Sequence, residues 1–183
     1  LEVRSPARVP GVGWVVAALP ISFSTAMWLE GVGNGFVLWG LMLFSAGMAA
    51  GARRPRRCRA FLMGYSLVYV VIAAGWWKWD RPRPDLVMQG LASPGGFFRA
   101  YPSGHVVQST FAYGLLTWQW IREATRTSER LTAAILCVLL IAVVALGRLR
   151  LGVHWPSDLL VGAVIGGGWV AAVAISTGWA ESM

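Results

Sequence analysis

The sequence predicts an all-α integral membrane protein: one domain over residues 1–183, folded as a bundle of six transmembrane helices with both termini cytoplasmic. Three observations carry that expectation. Of 183 residues, 56% are hydrophobic and 13% are charged, which is about half the charge of an ordinary soluble domain. The charges fall in short clusters between long apolar runs, as in the loops of membrane proteins. Among the eleven tryptophans, Trp76, Trp77, Trp79 and Trp155 gather at the ends of apolar runs, the position of an interfacial aromatic belt. Intrinsic disorder is excluded, because this much apolar surface collapses. The formal charge of +8 would point to nucleic acid in a soluble protein. Its confinement to loops makes the bilayer the expected partner and leaves no role for nucleic acid.

A helix crosses the hydrocarbon core with about 20 mostly apolar residues. Runs from Val12 to Leu29, Val32 to Ala50, Ala60 to Trp77, Val106 to Ile121, Leu131 to Gly147 and Leu159 to Gly178 meet that requirement. No basic–apolar–small cleavage pattern precedes the first run, so it is read as a retained helix. The fourth is diluted by Gln108, Ser109, Thr110 and Gln119, and is expected inside the bundle, where polar side chains find protein or water. The fifth is apolar almost throughout. In the sixth, Gly162 and Gly166 form a small-xxx-small pair that lets a neighbouring helix approach closely.

Arginines 53, 54, 56, 57 and 59 join the second and third spans, and Arg122, Arg126 and Arg130 join the fourth and fifth. The positive-inside rule puts both loops, together with Arg4 and Arg8, in the cytoplasm. Segments Lys78 to Tyr101 and Arg148 to Ser157 then face outward. Cys58 and Cys137 have no ligand-like spacing to a histidine, so they are read as structural and no metal site is expected.

The two outward segments hold the chemistry. Lys78, Arg81 and Arg83, stiffened by Pro82 and Pro84, can hold a dianionic group through guanidinium contacts; a headgroup-binding flank is the plainer reading. Pro102-Ser103-Gly104-His105 opens the fourth run: Ser103 can cap the helix, Gly104 permits close backbone approach, and first-turn amides favour an anion. In Arg148 to Asp158, Asp158 is within reach of His154. A carboxylate bonded to one ring nitrogen fixes the tautomer and leaves the other nitrogen nucleophilic; a His-Asp helix cap is the plainer reading.

These residues resemble the type 2 phosphatidic acid phosphatases, the membrane lipid phosphate phosphatases related to vanadium haloperoxidases. Pro102-Ser103-Gly104-His105 matches the second family motif in full, and Arg148, His154 and Asp158 stand at the spacing of the third, with Gly147 in place of its serine. The first motif departs. Its lysine precedes the Arg-Pro arginine by seven positions, and counting back reaches Trp76 from Arg83 and Ala74 from Arg81. Lys78 stands two residues late, about 200° around a helix, so it can serve only if the chain leaves helical geometry after Trp77. Arg81 is the other candidate for that charge.

The resemblance implies phosphoryl transfer through a phosphohistidine without metal or cofactor. His154 would be the nucleophile, Asp158 its orienting group and His105 the general acid and base. Arg83, Arg148, Ser103, Gly104 and Lys78 or Arg81 would bind the phosphate. The substrate would be a lipid phosphate at headgroup level, with a bacterial polyprenyl diphosphate favoured over phosphatidylglycerophosphate, phosphatidate or lipid A phosphates. The protein would be a multi-pass inner-membrane enzyme with its site facing the periplasm or exterior, acting in cell-wall biogenesis. Transfer to a lipid acceptor and a non-catalytic anionic-lipid-binding protein are the alternatives.

Overall fold

A computed structural model describes residues 19–79, 81, 83–84 and 99–181. The described residues form six α-helices and no strand: α1 Phe23–Gly31, α2 Gly35–Gly51, α3 Pro55–Trp79, α4 Gly104–Glu123, α5 Thr127–Arg150 and α6 Pro156–Glu181. Local chemistry sets the boundaries. Ser22 Oγ accepts from Thr25 N–H at 3.0 Å to start α1, and Asn34 Oδ1 accepts from Phe36 N–H at 2.9 Å to start α2, both as N-caps. Pro55 and Pro156 occupy first helical positions, where the missing N–H costs no bond.

Four segments are long and apolar enough to cross a membrane: Phe23–Gly51, α3, α5 and Pro156–Thr177. The first differs from expectation. Two separate spans were predicted, yet α1 and α2 make one broken segment running from the His154 end of the bundle toward the Arg54 end. Ile21 O accepts from Arg150 Nε at 2.5 Å at one extreme, and Arg54 pairs with Glu123 at the other. Residues 12–18 of the first predicted span lie outside the described residues. The break at Val32–Asn34 is stabilised because Tyr113 Oη donates to the freed Val32 carbonyl at 2.6 Å. In an apolar surrounding such a backbone group needs a partner inside the protein.

The polar fourth run is the centre of the bundle, as its composition predicts. Helix α4 packs on α2, α3, α5 and α6, and buries Val107, Ser109, Phe111, Ala112 and Leu115. Its contact with α6 is backbone-close: a Cβ on Gly162 would lie 3.1 Å from Ser103 O, and one on Gly166 would lie 2.7 Å from Val107 O. The small-residue pair thus fixes how near the N-termini of α4 and α6 come. Both arginine loops meet at one end, where Arg54 and Arg57 share Glu123. The motif segments meet at the other.

Candidate active site

His154 follows the end of α5. Gly152, at φ 68°, supplies the left-handed residue that turns the chain out of that helix, and α6 begins at Pro156. The imidazole is 1% exposed. Its Nδ1–H donates to Ala100 O at 2.8 Å, so Nε2 carries the lone pair, and it lies 3.5 Å from an Nη of Arg148. Burial, followed by the charges of Arg148 and Arg83, holds its pKa well below 6.5. The ring is therefore neutral at ordinary pH.

Asp158 does not make the predicted bond. Its Oδ2 stands 3.6 Å from His154 Nδ1 and accepts instead from Trp155 N–H at 2.8 Å, the N3-to-N-cap half of a capping box. Oδ1 accepts from Arg81 Nη1 at 2.8 Å. The orienting partner of His154 is thus a backbone carbonyl, with the carboxylate behind it. Ala100 is held in turn by its own N–H, which donates to Arg81 O at 3.0 Å. The second and third motifs are also tied through backbone, since Ser103 N–H donates to Asp158 O at 3.1 Å.

The first-motif ambiguity resolves geometrically. Helix α3 continues to Trp79, so the condition for Lys78 to turn inward is not met. Lys78 is exposed, with Nζ 5.1 Å from the Trp79 ring centroid. Arg81 instead reaches Asp158, donates to Ser157 Oγ at 2.7 Å and lies 5.2 Å from the Trp155 ring centroid. Arg83 donates to Val153 O at 3.4 Å. Its pKa is lowered to about 10, chiefly by burial and then by Arg148, which leaves it cationic at pH 7.

Ser103 occupies the N-cap position of α4, yet its hydroxyl makes no capping bond and is fully buried without a partner. The expected cap is absent, and the hydroxyl is left available. Gly104 opens α4 with its Cα close to Trp76, where a Cβ would lie 3.2 Å from a ring carbon. His105, in the same turn, is half-buried and within electrostatic reach of His154, Arg148 and Arg83. Both histidines of the chain thus lie at the motif end of the bundle, His105 in the first turn of α4 and His154 between α5 and α6.

One member was missed from sequence. Glu30 of α1 pairs with Arg148 Nη1, and Arg148 is 7% exposed with its Nε buried and unpartnered. Gly147 makes that pairing fit: a Cβ there would stand 3.0 Å from Ala26 O and 3.1 Å from Glu30 N. Where the family carries serine, this chain presses the α1 backbone instead. The signal was present, because Glu30 is the sole charged residue from Val12 to Ala50, and an ionisable group inside an apolar span marks function by default.

A buried guanidinium, a partnerless buried hydroxyl and a neutral imidazole held by Ala100 gather at this end of the bundle, a donor set suited to an anionic group. The PAP2 superfamily model matches residues 57–181, and the chain belongs to that superfamily, as its motifs implied. It is thereby a lipid phosphate hydrolase of the membrane. A decaprenylphosphoryl-5-phosphoribose phosphatase of Mycobacterium tuberculosis is 27% identical over 164 residues, covering 87% of this chain and 82% of the relative. Among solved structures, a PAP2-type phosphatidylglycerolphosphate phosphatase from Bacillus subtilis matches with a TM-score of 0.75 at 19% identity, over 93% of this chain and 83% of that one. LpxE from Aquifex aeolicus matches with a TM-score of 0.61 at 20% identity, over 87% and 90%.

Proposed function

We propose that the protein hydrolyses a phosphorylated polyprenyl lipid in two steps through a phosphohistidine on His154. The observation that carries this reading is the His154 Nδ1–H bond to Ala100 O at 2.8 Å, which commits Nε2 to attack. In the first step Nε2 attacks phosphorus and the bond from phosphorus to the leaving oxygen breaks. His105 gives that oxygen its proton. The proton stays on Nδ1, hydrogen-bonded to the Ala100 carbonyl, and Asp158 stabilises the positive charge that develops on the ring. In the second step His105 takes a proton from water, the oxygen of that water attacks phosphorus, and the phosphorus–nitrogen bond breaks to release phosphate.

Arg81, Arg83, Arg148, Ser103 Oγ and the Gly104 amide would neutralise the transferring oxygens. Phosphoryl transfer is chiefly positioning and electrostatics, so fixed cations serve where other enzymes use metal. Arg81 takes the role the family gives its first-motif lysine, and Lys78 remains a flanking cation.

A cytoplasmic C-terminus and a site on the outer face of a bacterial inner membrane are the topology this reading adopts, because the arginine loops lie at the end opposite His154; six spans with a cytoplasmic N-terminus would need a further crossing ahead of Leu19, outside the described residues. Polyprenyl diphosphate is the favoured substrate class. The name of the mycobacterial relative supports a second: a phosphomonoester on a polyprenylphosphoryl sugar. Phosphate release across a panel of lipid phosphates separates them. Purified wild type is expected to prefer a polyprenyl substrate over phosphatidate and phosphatidylglycerophosphate, and His154→Ala to release none. Equal release from His154→Ala, or a preference for diacyl substrates, overturns the reading. Adding a lipid alcohol with no drop in free phosphate supports water over lipid as acceptor.

A further inference from the structure

Toward the end opposite the histidines, α3 and α6 line an open groove of about 460 Å³. Its chemistry is graded. Arg56 and Arg59 stand at the mouth beside Ser176 and Thr177, whereas the deeper walls are apolar, ending at Leu67 and Trp169. Arg59 to Leu67 on α3 and Thr177 to Trp169 on α6 each span eight residues, about 12 Å of helix. The groove thus descends about 12 Å into the apolar layer from a cationic rim. Both arginines are exposed, and neither pairs with a carboxylate among the described residues, although Arg54 and Arg57 beside them share Glu123. Trp169 is fixed as a wall because its Nε1–H donates to Gly64 O at 2.9 Å.

We infer that this groove holds one anionic phospholipid from the leaflet at the arginine end, with its phosphate on Arg56 and Arg59 and an acyl chain along Met63 and Leu67. Exposed apolar helix surface is wetted by any lipid. The two exposed arginines are what select charge, since a juxtamembrane arginine contributes about 1 kcal/mol toward an anionic headgroup. The apolar depth below them is what separates a seated lipid from a diffuse cationic surface. This site is distinct from the one built on His154, and binding there does not depend on catalysis.

Native mass spectrometry of the detergent-solubilised full chain, titrated with phosphatidylglycerol and with phosphatidylcholine, tests the inference. Phosphatidylglycerol is expected to bind as a single retained adduct and phosphatidylcholine weakly. Arg56→Gln with Arg59→Gln is expected to weaken phosphatidylglycerol binding about 25-fold, at about fivefold per arginine, and the paired lysine variant to retain it. Met63→Trp, which fills the groove and leaves both charges, is expected to abolish the adduct. Arg126→Gln, at the same end but outside the groove, is expected to change it less than about twofold. An undiminished adduct in the double glutamine variant or in Met63→Trp overturns the inference. So does an equal loss in Arg126→Gln, which marks diffuse attraction, or a protein dimer that Met63→Trp dissolves, which marks a second copy as the occupant.

Discussion

Both ends of the bundle concentrate arginine, and the two ends use it differently. At the Arg54 end, Arg53, Arg54, Arg56 and Arg59 are exposed, and Glu123 answers two of the cations in that loop from a half-exposed position. At the His154 end, Arg148 is almost completely buried against Glu30, and Arg81 reaches a carboxylate that is 0% exposed. A solvated ion pair contributes about 0–1 kcal/mol. A desolvated one contributes little net stability but is costly to break, about 3–5 kcal/mol, because the surviving partner is left charged and alone. Position and dielectric, rather than residue count, separate the two sets of arginines.

The sharpest way to break that contrast is Arg148→Leu. It is expected to lower phosphate release at least about 1000-fold, since it removes a donor aimed at the developing charge, and to lower the Tm markedly because Glu30 is stranded. Adding Glu30→Leu is expected to restore the Tm and not the activity. The matched change at the other end, Arg54→Gln, is expected to move the Tm by no more than about 1 kcal/mol equivalent and leave turnover unchanged. Recovery of turnover in the Arg148→Leu, Glu30→Leu pair would show the guanidinium to be structural.

Ser103→Ala is the next largest. Loss of one preorganised donor is expected to cost about 100- to 1000-fold in kcat. Stability should hold or rise, since the hydroxyl has no partner to lose. A drop in Tm with unchanged kcat would place that hydroxyl in the fold rather than in the site.

The smallest effect concerns pH. The folded-state pKa of His154 lies well below its ordinary 6.5, so between those values the unfolded chain binds a proton that the folded chain refuses. Stability is then complete above about pH 6.5 and falls as pH is lowered. Thermal unfolding in detergent is expected to show that decline in wild type and a shallower one in His154→Asn. Identical slopes would mean the imidazole is not desolvated.

Much of the site was legible because its chemistry is compact in sequence. Arg148, His154 and Asp158 stand within eleven residues, and Ser103 to His105 are contiguous, so spacing alone brought them forward. The parts that were not legible have physical causes. Ala100 acts through its carbonyl, which every residue carries, and nothing in its side chain announces that it holds His154. Lys78 and Arg81 could be separated only by knowing where α3 ends, and helix ends are the least readable feature of a sequence. The described part of the first predicted span joins the second as one broken segment, α1 and α2, and the sequence from Leu19 to Ala50 is apolar on every face. The turn at Val32–Asn34 therefore read as a reversal rather than as a break held by Tyr113. The central placement of α4 was readable for the opposite reason: its polar residues had to face protein.

The central claim is that phosphorus becomes bonded to His154. Rapid quenching of the wild type with a lipid substrate carrying radiolabelled phosphate, followed by peptide mapping, tests it directly. The expected result is a label that is acid-labile and alkali-stable, found on the peptide containing His154 and absent from the His154→Ala protein. Full phosphate release with label on another residue, or with no trapped phosphoprotein at any quench time, would contradict it.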